Sequence, residues 1–233
     1  LDAALHHAEE MIKEGTDIVD IGGESTRPGH IVISEEEEIA RVVPIVEAVK
    51  AHFDVPVSID TYKGNVAEAA LQAGADLVND IWGFKFDKKT ALMTAKYNAA
   101  CCLMHNKDEA VYNDFLEDMV SEMAECVKIA REAGVADDKI MLDPGVGFGK
   151  TYEMNLAAIN HVDVLHRLGF PILLGTSRKS VIGNTLNLPS DQRVEGTLAT
   201  TVIGVMKNCA FVRVHDIKEN KRIIQMTKAI LAH

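Results

Sequence analysis

Polar side chains that could bind a ligand or take part in catalysis follow several short apolar, β-branched runs of this sequence. Asp60, Asn79 and Asp143 each close such a run, and their carboxylate and amide groups suit a flat heterocycle with adjacent N–H donors. Cationic side chains follow other runs and suit phosphate or pyrophosphate. This cationic set consists of Arg27, Lys179, Arg213 and His215. The expected ligand therefore has two ends, a nitrogenous ring and a phosphorylated arm.

Each of these residues also has a simpler explanation. An Asp after a strand, such as Asp60 or Asp216, is commonly the N-cap of the next helix. The glycines of the stretch 145–149 could simply permit positive φ in a turn. Polar ends on all seven apolar runs are harder to explain by capping alone, which favours a binding site.

The elements that must position these residues alternate along the chain in a βα pattern. The predicted strands are Ile18–Ile21, Pro56–Asp60, Leu77–Asp80, Ala100–Met104, Ile140–Asp143, Pro171–Gly175 and Phe211–Val214. The predicted helices are Leu1–Glu14, Ser34–Ala51, Lys63–Ala73, Thr90–Tyr97, Phe115–Ala133, Tyr152–Leu168, Gln192–Lys207 and Asp216–Ala232. Ser34 with Glu37 three residues later forms a predicted capping box.

Seven strands and eight helices, beginning on a helix, predict an α/β fold of the TIM (β/α)8 barrel type in one domain over residues 1–233. The first strand and first loop are then expected before Leu1, and the chain by itself is expected to be inactive or unstable, because a barrel that lacks one strand leaves two unpaired edges and an open core. A doubly wound open sheet is the alternative architecture. The barrel is favoured because active sites of barrels lie at the C-terminal ends of the strands, where the polar residues fall.

Composition excludes several classes of protein. The chain has 233 residues, 47% of them hydrophobic, and a formal net charge of −11, which argues against a nucleic-acid binder with a broad basic surface. No apolar run reaches the roughly 20 residues that span a bilayer. The four cysteines lack metal-binding spacing, so a reducing cytoplasm is the expected location.

Six sequence blocks, in order, resemble the dihydropteroate synthase family, the folate-pathway targets of sulfonamides. They are DIGGESTRPG (20–29), SIDTYKGNVAEAALQAGADLVNDIWG (58–83), LDPGVGFGK (142–150), LLGTSRKS (173–180), EGTLATTV (195–202) and VRVHD (212–216). The resemblance implies a transferase that condenses 6-hydroxymethyl-7,8-dihydropterin pyrophosphate with p-aminobenzoate, giving 7,8-dihydropteroate and pyrophosphate. It also implies an SN1-like path without a protein nucleophile.

The resemblance also implies roles for individual residues. Those implied for the pterin are Asp60, Asn79, Ile81, Met104, Asp143, Gly175, Lys179 and Arg213. Those implied for p-aminobenzoate are Thr26, Arg27, Pro28, Phe148, Lys179 and Ser180. Arg213 and His215 are implied to hold the pyrophosphate, and catalysis is implied to depend on Asp60, Lys179, Arg213 and His215.

Mg²⁺ is the cofactor that the resemblance implies, because a hard cation suits phosphate oxygens. No metal ligand can be assigned within residues 1–233, since the family's metal-binding Asn belongs to the first-strand segment. The family is usually homodimeric, so a homodimer is also expected.

Two other functions remain open at this point. A pterin-binding methyltransferase would share the pterin carboxylates but should lack the segment 177–180 and the pyrophosphate residues Arg213 and His215, which are present here. A non-catalytic pterin-binding or partner-binding barrel would keep the fold without turnover.

Overall fold

A computed structural model of the chain describes residues 1–25 and 31–233. These residues form two compact units. The first unit comprises Leu1–Met104 and Glu125–Met141, and the second comprises His105–Ala124 and Leu142–His233. The prediction of a single domain stays a prediction.

Seven parallel strands occur in the described residues, and each overlaps one of the predicted strands. They are β1 (Val19–Gly22), β2 (Val57–Asp60), β3 (Leu77–Asp80), β4 (Ala100–Met104), β5 (Ile140–Asp143), β6 (Leu173–Leu174) and β7 (Phe211–Val212). β1 to β5 pair in chain order in one sheet, and β6 pairs with β7. Consecutive parallel strands require crossover connections, and the helices supply them. The predicted α/β class is confirmed.

The helices alternate with these strands. They are α1 (Asp2–Glu14), α2 (Glu35–His52), α3 (Gly64–Gln72), α4 (Lys88–Lys96), α5 (Phe115–Ala133), α6 (Tyr152–Asn160), α7 (Ser180–Leu186), α8 (Val194–Met206) and α9 (Ile217–Leu231). Ser34 Oγ accepts a hydrogen bond from Glu37 N at 3.2 Å at the start of α2, as predicted. The Glu37 carboxylate instead pairs with Arg41.

In the first unit, β2 and β3 are buried along their whole length. Val57, Ile59 and Val78 have no exposed surface, which fits the near-continuous apolar runs of parallel strands covered on both faces. Both strands end in polar residues, Asp60 and Asn79, in matching register. The apolar core of this unit therefore fixes where the polar ends lie.

The helices of the second unit differ from the predicted ones in two places. The helix predicted over Tyr152–Leu168 ends at Asn160, and a 3₁₀ helix follows over Val162–Leu168. Val162 and Leu165 are both fully buried, and their spacing of three residues matches the three-residue turn of a 3₁₀ helix.

The second difference concerns α7, which is not among the helices predicted from the sequence. This helix contains Gly183 and Asn184, which are weak helix formers. Gly183 lies against the guanidinium of Arg193, where an added Cβ would be 2.2 Å from Nη2. The helix depends on this packing rather than on local propensity.

Within the described residues, no helix is long and apolar enough to cross a membrane.

Candidate functional site

The polar site of the first unit consists of side chains at the ends of neighbouring strands. Asp60 closes β2 and stands opposite Asn79 of β3 in the parallel register. Thr61 N donates to Asn79 O at 3.1 Å, which extends the pairing beyond the strands. Asp60 and Asn79 are both buried. The structure thus brings together a carboxylate and an amide that were predicted from the sequence.

Two apolar residues predicted for the pterin also belong to the first unit. Ile81 directly follows β3, and Met104 is the last residue of β4. Both are buried. They offer flat, water-poor surface of the kind that an aromatic ring requires.

Asp80 has a structural role at the end of β3. Its carboxylate accepts hydrogen bonds from Trp82 N at 2.7 Å and Phe84 N at 3.3 Å. Complete burial raises its pKa to about 7, with smaller contributions from the negative charges of Asp60 and Asp87. Asp80 therefore holds the turn after β3, in which Phe84 adopts positive φ.

A buried ion-pair cluster also lies in the first unit. Lys63 Nζ donates to Glu24 Oε2 at 2.7 Å, Glu38 Oε2 at 2.8 Å and Ile33 O at 2.8 Å. Glu24 also accepts from Tyr62 OH at 2.7 Å and Ile33 N at 2.8 Å. Burial by itself would raise the pKa of Glu24. The hydrogen bonds, with that from Lys63 contributing most among them, instead lower this pKa to about 2.

In the second unit, Asp143 lies among positive charges. It closes β5, is buried, and accepts a hydrogen bond from Gly145 N at 2.7 Å. Burial raises its pKa, whereas Lys179, the Gly145 amide, Lys150 and Arg213 oppose that rise. The site combines a buried acceptor with cations that favour its ionised form.

Gly175 follows β6 and allows close approach to this carboxylate. A Cβ added there would lie 3.4 Å from Asp143 Oδ2 and 3.9 Å from Arg213 Cβ. A side chain at this position would cover the carboxylate. The predicted role of Gly175, to leave room for a ring, fits this geometry.

Lys179 lies at the centre of the cationic group. Its ammonium donates to Val146 O and lies 4.8 Å from the centroid of the Phe148 ring. Ser180, the next residue, is exposed and begins α7. The structure therefore brings together Lys179 and Phe148, two residues predicted for p-aminobenzoate.

The loop that carries Lys179 is anchored by α8. Arg178 N donates to Thr197 Oγ1 at 3.1 Å, and Arg193 Nη1 donates to Arg178 O at 2.9 Å. The Arg178 guanidinium forms a bidentate pair with Asp216. Bidentate pairs fix the orientation of both side chains. Arg178, the residue directly before Lys179, is therefore held in place.

His215 is oriented by Ser177. The Ser177 hydroxyl oxygen accepts from His215 N at 3.1 Å and lies 2.8 Å from His215 Nδ1. Arg213 and His215 are both exposed, so both can reach a charged ligand. Thr26, Arg27 and Pro28, predicted for p-aminobenzoate, lie outside the described residues.

The thiols of the half-buried Cys209 and the buried Cys101 are poor nucleophiles. Burial, with the nearby Asp143 charge, raises the pKa of Cys209 to about 12, and burial likewise raises the pKa of Cys101. A thiolate is the reactive form of cysteine. This geometry suits chemistry without a covalent cysteine intermediate.

No cluster of three or more His, Cys, Asp or Glu residues suited to a metal occurs over 1–25 and 31–233. The described side chains therefore do not form a protein-only site for Mg²⁺.

Sequence reasoning missed three interactions that shape the site. The sequence gives Ser177 no role beyond its place in the segment 177–180, yet its hydroxyl contacts His215. Lys150 belongs to a quoted block but received no role, and the Glu24–Lys63 pair was not foreseen. A lysine or glutamate inside an otherwise apolar and glycine-rich stretch could have indicated a buried ion pair or hydrogen bond, since such residues are rarely buried unless paired.

Known proteins similar to this chain are consistent with the site. A family model described as "Pterin binding enzyme" matches residues 1–215. Dihydropteroate synthase of Clostridium beijerinckii is 60% identical over 232 residues, which cover 99% of this chain and 86% of that protein.

Solved structures give the same result. A Clostridium difficile dihydropteroate synthase crystallised in the presence of pteroic acid superposes with a TM-score of 0.97 at 48% identity, covering 98% of this chain and 88% of that one. A Yersinia pestis dihydropteroate synthase in a sulfonamide complex gives 0.94 at 39% identity, covering 99% and 86%. The predicted resemblance and its barrel fold class are confirmed.

Proposed function

The chain belongs to the pterin-binding enzyme family, among its dihydropteroate synthases, and from this premise we propose how its own side chains carry out the reaction. The enzyme is a transferase that joins 6-hydroxymethyl-7,8-dihydropterin pyrophosphate to p-aminobenzoate. A carbon–nitrogen bond forms, and pyrophosphate is released.

The observation that carries the assignment of roles is the setting of Asp143. A buried carboxylate flanked by the charges of Lys179, Lys150 and Arg213 can accept hydrogen bonds from the 2-amino group and the adjacent ring N–H of a pterin. A site built around such acceptors rejects rings that lack the donors. Lys179 donates to the ring carbonyl and N5.

In the first unit, Asp60 and Asn79 are proposed to contact the pterin, with Ile81 and Met104 as apolar surface. When the bond between the exocyclic methylene and pyrophosphate breaks, its electron pair leaves with the pyrophosphate. The pterin then carries a delocalised positive charge, which the Asp60 carboxylate stabilises electrostatically. The aryl amine supplies the new electron pair and loses a proton.

Arg213 and His215 are proposed to hold the pyrophosphate. The guanidinium of Arg213 offers several donors to phosphate oxygens, and the Ser177 hydroxyl fixes the imidazole of His215. Gly175 leaves room for the ring beside Asp143. These contacts stabilise the charge on the leaving group as it departs.

The p-aminobenzoate half is proposed to involve Phe148, Lys179 and Ser180 of the second unit. Lys179 lies 4.8 Å from the Phe148 ring, so a benzoate there meets both an aromatic face and a cation. Thr26, Arg27 and Pro28 complete the proposed set.

Mg²⁺ is proposed to neutralise charge on the pyrophosphate, although residues 1–25 and 31–233 offer no cluster of ligands for it. The homodimer and the cytoplasmic location also stay predictions. Loss of turnover on chelation and its recovery on adding Mg²⁺ would support the metal proposal.

The proposed roles are tested by turnover of the N-terminally complete protein with dihydropterin pyrophosphate, Mg²⁺ and labelled p-aminobenzoate, with and without a sulfonamide. Sulfonamide-sensitive formation of dihydropteroate is the expected result. Pterin binding without product would instead favour the methyltransferase or the non-catalytic binder.

A further inference from the structure

Lys150, the last residue of the glycine-rich block 142–150, is surrounded by acceptors in the second unit. Its ammonium lies 2.8 Å from His105 Nδ1 and donates to Gly145 O and Phe148 O, both at 2.9 Å. His105 O is a further acceptor at 3.4 Å. The Lys150 ammonium thus links the C-terminal end of the turn to Gly145 at its start.

These contacts hold the His105 imidazole in one tautomer. An ammonium can only donate, so Nδ1 of His105 must accept and its hydrogen must reside on Nε2. Nε2 lies 2.8 Å from Glu122 Oε2, and the ring has no exposed surface. Glu122 therefore fixes the tautomer that leaves Nδ1 available to Lys150.

The turn itself depends on side-chain donors. Gly145, Gly147 and Gly149 have φ of 66°, 91° and 53°, and the carbonyl groups between them meet side chains instead of a neighbouring strand. Lys150 binds two of these carbonyls, Lys179 binds Val146 O, and the Tyr112 hydroxyl donates to Gly149 O at 2.7 Å. These donors act on the carbonyl side of the turn, while Asp143 and Asn155 accept from the Gly145 and Gly147 amides.

We propose that Lys150, oriented by His105 and Glu122, is a positioning residue for the aromatic amine substrate. The inference rests on the proposed function. Lys150 holds the carbonyl of Phe148 directly, and the same turn presents Val146 O to Lys179. Two of the three p-aminobenzoate residues proposed in this unit, Phe148 and Lys179, thus contact the turn that Lys150 holds.

The consequence is expected to be larger for p-aminobenzoate than for the pterin, although Lys150 is also one of the cations beside Asp143. Phe148 lies in the middle of the turn, whereas Asp143 is part of β5 and keeps its place through the strand. Removing the Lys150 ammonium takes away the charged donor to Phe148 O and to the His105 imidazole and leaves Gly145 O with only the Phe148 N–H at 3.1 Å, which is expected to displace the turn. The aromatic amine should therefore lose more affinity than the pterin.

The experiment compares steady-state kinetics of the full chain and its Lys150→Met variant, varying each substrate in turn. Lys207→Met is the matched control, because Lys207 also pairs with a carboxylate of the second unit, Asp163 at 2.9 Å. Tyr112→Phe is a milder second variant that removes only the donor to Gly149 O. Melting temperatures establish that each variant is folded.

The expected result is a KM for p-aminobenzoate raised about tenfold in Lys150→Met and roughly threefold in Tyr112→Phe, from the loss of charged and neutral hydrogen bonds respectively. The KM for dihydropterin pyrophosphate should change less than threefold, and Lys207→Met should match the parent chain. An unchanged p-aminobenzoate KM in folded Lys150→Met, or equal effects on both substrates, would overturn the proposal. If Lys150→Met does not fold, an unchanged p-aminobenzoate KM in Tyr112→Phe would overturn it. Product formation by the parent chain tests the proposed function separately.

Discussion

The buried cluster around Lys63 gives the sharpest prediction about stability. Lys63→Met keeps the length and much of the volume of the side chain but removes its charge and its donors. Glu24 and Glu38 then remain buried together without the cation that both contact. We expect a large loss of folding free energy at neutral pH.

The magnitude follows from two independent arguments. The side chains of Lys63, Glu24 and Glu38 are only 8%, 3% and 2% exposed, and removing one partner of a buried ion pair costs about 3–5 kcal/mol. The pKa of Glu24 falls from its ordinary value of 4.5 to about 2, which corresponds to about 3 kcal/mol for all its partners together. A loss of about 3 kcal/mol is therefore expected.

Denaturant unfolding followed by circular dichroism at pH 7 measures this loss. Lys50→Met is the control, because Lys50 and Asp76 form a partly exposed pair at 2.9 Å and such pairs contribute about 0–1 kcal/mol. A loss in Lys63→Met below about 1 kcal/mol, or no larger than in the control, would refute the reasoning.

The free energy of unfolding measured at acidic pH gives a second test of this cluster. Because the folded-state pKa of Glu24 lies below its unfolded value, its contribution is present above pH 4.5 and is lost as the pH falls through about 2. The parent chain should lose stability over that window. Lys63→Met should lose less there, since much of the contribution is already gone.

Three further predictions concern the site. Asp143→Asn should weaken pterin binding by about 2 kcal/mol, roughly 30-fold, because an amide donor then faces a ring donor; calorimetry with an unchanged affinity would contradict the role of Asp143. Ser177→Ala should lower kcat roughly fivefold through loss of the hydrogen bond that orients His215, and a normal rate would show that this contact is dispensable. The raised pKa of Asp80, about 7 against 3.8, favours folding below pH 3.8, and this contribution is lost as the pH rises through 7; Asp80→Asn should flatten that slope in pH-dependent unfolding, and an unchanged slope would exclude Asp80 as its source.

The sequence predicted the strands well because each is a short apolar run between turn residues. β6 and β7 are shorter than predicted, covering Leu173–Leu174 and Phe211–Val212. α7 was missed because its residues are weak helix formers and its Gly183 packs against Arg193. Helix propensity and hydrophobic periodicity, which are local properties of the sequence, carry no information on such a tertiary contact.

The same distinction applies to the site. Asp60, Asn79 and Asp143 were predictable because strand ends of parallel sheets are where ligands bind. The Lys63–Glu24 and Lys150–His105 contacts join residues 39 and 45 positions apart. No spacing rule links residues at such separations, so these supporting interactions became visible only in the folded chain.

The turn capped by Asp80 has an optical consequence. Trp82 is the only tryptophan in the sequence, and its backbone amide donates to Asp80 at 2.7 Å. Its indole also neighbours Phe86, with ring centroids 6.2 Å apart. The tryptophan emission of the chain therefore originates two residues from a buried carboxyl whose pKa is raised to about 7. The protein carries a built-in fluorophore beside the polar end of β3.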